Sequence, residues 1–253
     1  MVRLNFMNYN TYNYIRKRLF GPYFRIYHRL EVKGLENIPD GPALIVPNHS
    51  GGFDLDIVCI SNFCHPTREI QVLIMDKYHY MNNMWGRYWV GSGIPLWLRG
   101  GLKWQYINPY LNEKGSKFPG LVCMFPEGNS GEFRYRNILN KFFPGVVRIA
   151  LKYEVPIVPT VMIGFYKVSP ILKSFYQERG PPDPILFPLI TFPFKIIVEF
   201  GRPFELSEFY NRKLIKEEEW WIANRIIRPK IAKLKMKYDK VDLSKVDVKM
   251  KRP

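Results

Sequence analysis

Short, wholly apolar runs alternate along this chain with stretches of helical period. Ala43 to Val46 is one such run. Gly41-Pro42 lead into it and Pro47-Asn48 end it, so it reads as a strand buried on both faces. From Asp54 the pattern turns helical, and Leu55, Ile57, Val58 and Ile60 form an apolar face to about Phe63. Glu69 to Met75, Leu121 to Phe125, Pro156 to Gly164 and Phe194 to Phe200 repeat the strand pattern, with a shorter strand at Glu31 to Gly34. Gly91-Ser92 open a turn into a brief strand at Gly93-Ile94-Pro95, closed by Arg99-Gly100-Gly101. Helical patterns lie between these, at Tyr78 to Val90, Trp104 to Leu111 and Pro144 to Tyr153. Met81, Met84, Trp85 and Tyr88 give the first a wide apolar face, suited to core packing or to the wall of an apolar tunnel. Pro181, Pro182, Pro184 and Pro188 make the span from Tyr166 to Phe192 an irregular excursion. Ser207 opens a long helical region to about Tyr238, with Glu208 early and cations late, as the helix dipole favours. Alternating strands and helices, without a repeat or a linker, imply one α/β domain.

Composition narrows the class. The chain has 253 residues, enough for one large core, and its 47% hydrophobic content excludes a disordered chain. The net charge of +16 points to an anionic partner: nucleic acid, anionic lipid or a phosphorylated substrate. Aromatic residues at 16% lean towards a membrane interface. They also suit base stacking, but no nucleic-acid motif is recognisable. Cys59, Cys64 and Cys123 sit in apolar runs, which suggests a reducing compartment without structural disulfides. The histidines at 28, 49, 65 and 79 form no metal-ligand spacing with them. No apolar run reaches 18 residues, so no spanning helix is expected, and the N-terminus lacks a signal-peptide core.

Charge also divides the chain. Residues 1–30 hold Arg3, Arg16, Lys17, Arg18, Arg25 and Arg29, no acid, and interleaved aromatics. Helix is expected on both sides of a break at Gly21-Pro22, as a basic amphipathic segment lying on a membrane surface; the alternative is a helix packed on the domain. Residues 31–240 form the domain proper, and 241–253 a basic tail.

Candidate chemistry falls at strand ends. His49 lies in a short loop after the Ala43 strand, and Asp54 opens the next helix, where open α/β sheets place their chemistry. Within one helix, residues five apart would diverge by roughly 140°. Gly51-Gly52 gives the loop freedom to fold His49 back onto Asp54. An imidazole held by a carboxylate is the base half of a hydroxyl-activating site, although such a pair is also a common loop hydrogen bond. Glu127 follows a second apolar strand directly, within Pro126-Glu127-Gly128-Asn129-Ser130-Gly131. A parallel sheet would bring this loop beside His49. Arg134, Arg136 and Lys141 come next and could hold a phosphate or form a solvated face.

Four segments together resemble the glycerolipid acyltransferases, the group that contains lysophosphatidic acid acyltransferase. Asn48-His49 through Asp54 is similar to that family's His-(four residues)-Asp motif. Gly93-Ile94-Pro95 resembles its second block, Phe125-Pro126-Glu127-Gly128 its third and Val155-Pro156-Ile157-Val158-Pro159 its fourth. Gly34-Leu35-Glu36-Asn37-Ile38-Pro39 is similar to the usual lead-in, so the resemblance spans roughly residues 32–205. It implies a glycerol-3-phosphate acyltransferase-like fold, a mostly parallel sheet flanked by helices. The implied activity is transfer of a fatty acyl group from acyl-CoA or acyl carrier protein, used as co-substrate without a further cofactor or metal, to a lipid hydroxyl in phospholipid biosynthesis. The resemblance assigns His49 as general base and Asp54 as the group fixing its tautomer. Gly93, Ile94, Pro95, Phe125, Pro126, Glu127 and Gly128 would shape the substrate site, with Arg99, Arg134 and Arg136 as cations for an acceptor phosphate. The foremost acceptor is 1-acylglycerol-3-phosphate. Asn129-Ser130-Gly131 stands where the family often has Thr-Arg-Ser, and Leu96-Trp97-Leu98 precede Arg99, so a neutral or different polar lipid is the alternative. Peripheral attachment to the cytoplasmic face of an anionic membrane is the expected location.

Overall fold

The computed structural model describes residues 18, 20–52, 54–68, 70–75, 93–96, 104–175, 183–186, 191–244 and 248–253. Nine strands are described: β1 (Glu31–Lys33), β2 (Ala43–Pro47), β3 (Ile70–Met75), β4 (Gly93–Leu96), β5 (Leu121–Cys123), β6 (Ile157–Ile163), β7 (Ile171–Phe175), β8 (Asp183–Leu186) and β9 (Ile197–Phe200). Seven form one sheet in the order β1-β9-β6-β2-β5-β3-β4. Every pairing in it is parallel except β6 with β9. The mostly parallel α/β sheet expected from the sequence is therefore present.

The central strands β2, β5 and β6 are almost wholly apolar because both faces are covered, and the one polar side chain on them, Thr160, gives its hydroxyl proton to Val158 O. Leu44 and Val46 enter one core, with Val122, Val147, Ile149, Ile227 and Ile231. Ala43 and Ile45 enter the other, with Leu121, Cys123, Val58 and Cys59. Helix α1 (Leu55–Phe63) covers this second face. Helices α2 (Trp104–Leu111), α3 (Gly145–Tyr153) and a C-terminal helical run cover the first. A short helix α4 (Phe165–Val168) follows β6. The C-terminal run comprises α5 (Lys216–Trp221), a π-helical stretch (Ile222–Ile227) and α6 (Arg228–Lys235). All three cysteines are free and buried.

Three expectations are corrected. The long helix begins at Lys216 rather than Ser207, which opens only a 3-10 turn to Phe209. Glu217, Glu218 and Glu219 complement the dipole at the real start, and the Glu218 carboxylate accepts the Ile215 N–H at 2.9 Å. The proline-rich excursion contains an ordered antiparallel pair, β7 with β8, in which Pro184 sits on a two-stranded ribbon that leaves edge positions free for it. Finally, helical backbone runs through Gly21-Pro22 into a π-helical turn, Tyr23–Tyr27, without a break. Pro22 has φ −58°, a helical value that its ring favours. The expected Tyr78–Val90 helix and its Met81, Met84, Trp85 and Tyr88 lie outside the described residues.

The turn at Tyr23–Tyr27 has a packed side and an open one. Phe24 is fully buried, its ring 5.1 Å from that of Phe63 on α1, while Ile26 is exposed. Phe24→Ala should therefore lower unfolding free energy by about 3–5 kcal/mol, against under about 0.5 kcal/mol for Ile26→Ser. Chemical denaturation checks this, and equal effects would contradict the packing.

Candidate active site

The loop after β2 is shaped by its own polar residues. Asn48 replaces the next rung of strand pairing, its side chain accepting from Met162 N–H at 2.8 Å and donating to Met162 O at 3.2 Å. Gly51 then turns the chain at φ +85°, where a Cβ would stand 2.7 Å from the Phe165 carbonyl oxygen. No other residue fits there. Gly52 N–H donates to Ser169 O at 2.8 Å, so the loop lies folded against α4. Ser50 bridges Gly131 in parallel, which joins this loop to the one after β5.

That fold brings His49 over the start of α1. Its Nδ1 stands 2.6 Å from Asp56 Oδ2, and the Asp56 side chain is fully buried. A carboxylate only accepts here, so the Nδ1 proton is fixed and Nε2 is left for a substrate. Asp56 also accepts Ser50 N–H at 3.0 Å and Ile57 N–H at 2.9 Å. The five-residue spacing pointed to Asp54, and this is corrected: the carboxylate on Nδ1 belongs to Asp56, two residues on. Asp54 itself takes a left-handed conformation, φ 50°, ahead of the helix, and the first helical turn carries Asp56 back beneath the loop. Asp54 is still near enough for its charge to act on His49.

Burial of the His49 ring works to lower its pKa, but the opposing causes win. The Asp56 charge and hydrogen bond, with the charges of Asp54 and Glu127, raise it to about 9. The Phe125 ring, centred 4.6 Å from the imidazole, holds its face.

Glu127 does not point into open space. Its Oε1 accepts the His49 N–H at 2.9 Å and its Oε2 the Asn140 N–H at 2.8 Å, with the residue 6% exposed. Burial pushes its pKa up, and the two backbone hydrogen bonds and the His49 charge pull against that. The carboxylate is a strut that ties the His49 loop to the segment around residue 140. Pro126 contributes its carbonyl, which accepts Phe143 N–H at 2.8 Å, and Gly128 turns outward at φ +71°.

A cavity of about 20 Å³, room for one water, adjoins His49 and Glu127. Arg136 and Lys235 line it with Ser50, Tyr135 and Tyr166. The buried Ser50 hydroxyl has no hydrogen-bond partner among the described residues. Lys235 is 4% exposed and donates to Arg136 O at 3.1 Å. Burial pushes its pKa down, against the charges of Asp239 and Glu127. Arg136 stacks over Phe133 at 4.7 Å, whereas Arg134 is drawn to Glu132 at 2.6 Å. The Gly93-Ile94-Pro95 backbone forms β4, three strands from β2, or roughly 14 Å at ordinary strand spacing. Arg99 lies outside the described residues. Sequence reasoning missed Asp56, Asn140 and Lys235. The second aspartate of Asp54-Leu55-Asp56 was a visible signal for the first; Lys235 is one lysine in a lysine-rich run and carried none.

The arrangement can take a proton from a hydroxyl at Nε2 and hold the imidazolium against Asp56. The sequence model of the Acyltransferase family matches residues 29–163 of this chain, just over half of it. Uncharacterized proteins of Mycobacterium tuberculosis and Mycobacterium leprae are similar, at 29% identity over 213 residues and 26% over 211. Those alignments cover 74% of this chain in each case, and 55% and 54% of the relatives, so the chain spans about half their length. The crystal structure of PlsC, the 1-acyl-sn-glycerophosphate acyltransferase of Thermotoga maritima, is similar in fold. Its TM-score is 0.56 over 91% of this chain and 84% of that one, at 17% identity.

The raised His49 pKa fixes a pH dependence. Its contribution to stability is complete below the unfolded value near 6.5 and is lost as pH rises through about 9. Between those limits the native protein should lose about 3 kcal/mol that a His49→Gln variant does not. Denaturation curves at pH 6.5 and 9.5 measure the difference; equal pH dependence in the two proteins would contradict the ion pair.

Proposed function

This chain belongs to the acyltransferase family, and from that premise we propose that it moves a fatty acyl group from a thioester to the hydroxyl of a lipid. The observation that carries the reading is the 2.6 Å contact of His49 Nδ1 with buried Asp56 at a strand-end loop. Nε2 takes the hydroxyl proton as the acceptor oxygen attacks the thioester carbonyl carbon. The tetrahedral oxyanion collapses, the carbon–sulfur bond breaks, and the leaving thiolate takes the proton back from the imidazolium. Ester and thiol result, with no acyl-enzyme. Asp56 stabilises the imidazolium that forms between the two transfers. The Ser50 hydroxyl, without a partner among the described residues, supplies a donor in the same cavity for the developing oxyanion.

Acyl-CoA and acyl carrier protein are both proposed donors. The foremost acceptor is 1-acylglycerol-3-phosphate. Arg136 and Lys235 both border the one-water cavity at His49, and their charge supports an acceptor phosphate seated beside that space rather than within it. A neutral or different polar lipid is the second reading, favoured by the engagement of Arg134 with Glu132.

The test is acyl transfer from both donors to a panel of phosphorylated and phosphate-free acceptors. His49→Ala should lose about 10²–10⁴-fold in kcat with the fold intact. Asp56→Asn should lose more than Asp54→Asn, because only Asp56 sits on Nδ1. A His49→Ala protein that keeps most of its activity would refute the mechanism. For a phosphorylated acceptor, Arg136→Gln should raise the acceptor KM about 10–100-fold and leave the donor KM nearly unchanged. Equal use of phosphate-free acceptors by the unaltered protein would count against a phosphate clamp.

A further inference from the structure

Eleven large hydrophobic side chains are exposed among the described residues, and seven of them border one end of the sheet. It is the end His49 occupies. Ile163, the last residue of β6, pairs with Ile197, the first of β9, and Ile197 pairs with Glu31, the first of β1. The segments that enter β9 and β1 therefore lie beside the loops that leave β2 and β6.

Those entering segments are open and apolar. Ile26 is 74% exposed, and Tyr27, Phe192 and Phe194 are exposed with it. Tyr27 Oη donates to Thr191 O at 2.7 Å and Arg29 to Pro193 O at 2.6 Å, so the two segments form one surface. Phe192 N–H donates to Val168 O at 2.9 Å, which connects this surface to α4 and to Leu172, 49% exposed. Glu132 accepts Ser174 N–H at 2.9 Å, which connects it onward to exposed Phe133 and Tyr135. Tyr135 lines the His49 cavity, so the band runs to the mouth of the site.

The charge on the same segments is one-sided. Residues 20–31, 132–136, 165–174 and 191–196 hold seven lysines and arginines and two acids, Glu31 and Glu132. Lys195 pairs with Glu31 and Arg134 with Glu132, which leaves a positive excess around the apolar side chains. Aromatic and aliphatic tips interleaved with cations match the boundary between lipid head groups and acyl chains.

We propose that this band is a docking surface for an anionic phospholipid bilayer, and that it presents the mouth of the His49 cavity to the leaflet. The inference deepens the acyl-transfer reading and rests on it for the lipid nature of the acceptor. Attachment then belongs to the rim of the domain, with Ile26, Phe192 and Phe194 entering the interface and the cations resting on head groups. The apolar part resists salt, and the cationic part is screened by it.

The test is sedimentation of the full chain with vesicles of phosphatidylcholine alone and of phosphatidylcholine mixed with phosphatidylglycerol. Binding to the mixed vesicles should be at least about ten-fold tighter, with the advantage shrinking as salt rises. The triple variant Ile26→Ser, Phe192→Ser, Phe194→Ser should lose at least about ten-fold on both vesicle types. Ile215→Ser is the control: Ile215 is also exposed, but it precedes a 20-residue helical run that reaches the cavity only at Lys235, about 30 Å away. It should bind as the unaltered protein does. The triple variant should keep its transfer rate to a short-chain, water-soluble acceptor. Unchanged vesicle binding by the triple variant would overturn the proposal, and so would equal loss in Ile215→Ser or a parallel loss of transfer to the soluble acceptor. Vesicle binding requires no turnover, so the surface stands or falls separately from the acyl-transfer reading.

Discussion

A carboxylate with no solvent access must be met by donors, and Asp56 is met by three: the His49 ring and the N–H groups of Ser50 and Ile57. The surrounding structure follows from satisfying that charge. The first helical turn places the carboxylate, and the loop must double back to bring the imidazole to it. Gly51 makes the reversal possible where a Cβ would strike the Phe165 carbonyl, and Asn48 fixes the point from which it starts by pairing with Met162. An apolar residue at position 56 would relieve the burial but leave the imidazole without its orienting partner.

The same requirement extends outward from the pair. Glu127 is buried and gives both oxygens to backbone N–H groups, which locks the His49 backbone to residue 140. Asn140 is held in turn by its neighbour: the buried Arg228 guanidinium donates to Leu139 O and to Leu243 O. Lys235 brings a buried cation from the same helix to the other side of the cavity. The C-terminal helical run is thus part of the site's support, although it lies beyond the segment matched by the family. Substitutions at Arg228 act on His49 through Leu139-Asn140 and Glu127 rather than by contact, whereas Lys235 acts from the wall of the same cavity.

Legibility in the sequence tracked how local each constraint is. Strands buried on both faces have to be apolar along their length, so β2, β5 and β6 were visible as runs. The strand-end position of His49 followed from the Pro47-Asn48 stop. The partner carboxylate did not follow from spacing, because spacing assumes a backbone path. One left-handed residue at Asp54 moved the contact by two positions. Glu127 was legible as a strand-end carboxylate, but not as a strut, since its partners are backbone groups from loops far apart in the chain. Lys235 and Arg228 depend on the long-range packing of the last helix, and nothing in a lysine-rich stretch marks Lys235 as a buried one. β7 and β8 were hidden by prolines that a two-stranded ribbon tolerates.

In the proposed mechanism Asp56 holds His49 as the base, at a pKa raised to about 9. The pH dependence of kcat/KM reports the ionisation of the free enzyme, and a base must be neutral to act. Measured with one acceptor from pH 6 to 10, kcat/KM should rise with pH, pass half its plateau near 9 and level off above that. In Asp56→Asn that limb should move down towards the ordinary imidazole range, at a lower plateau. A profile flat between pH 6.5 and 9, or a limb that stays in place in Asp56→Asn, would contradict the account.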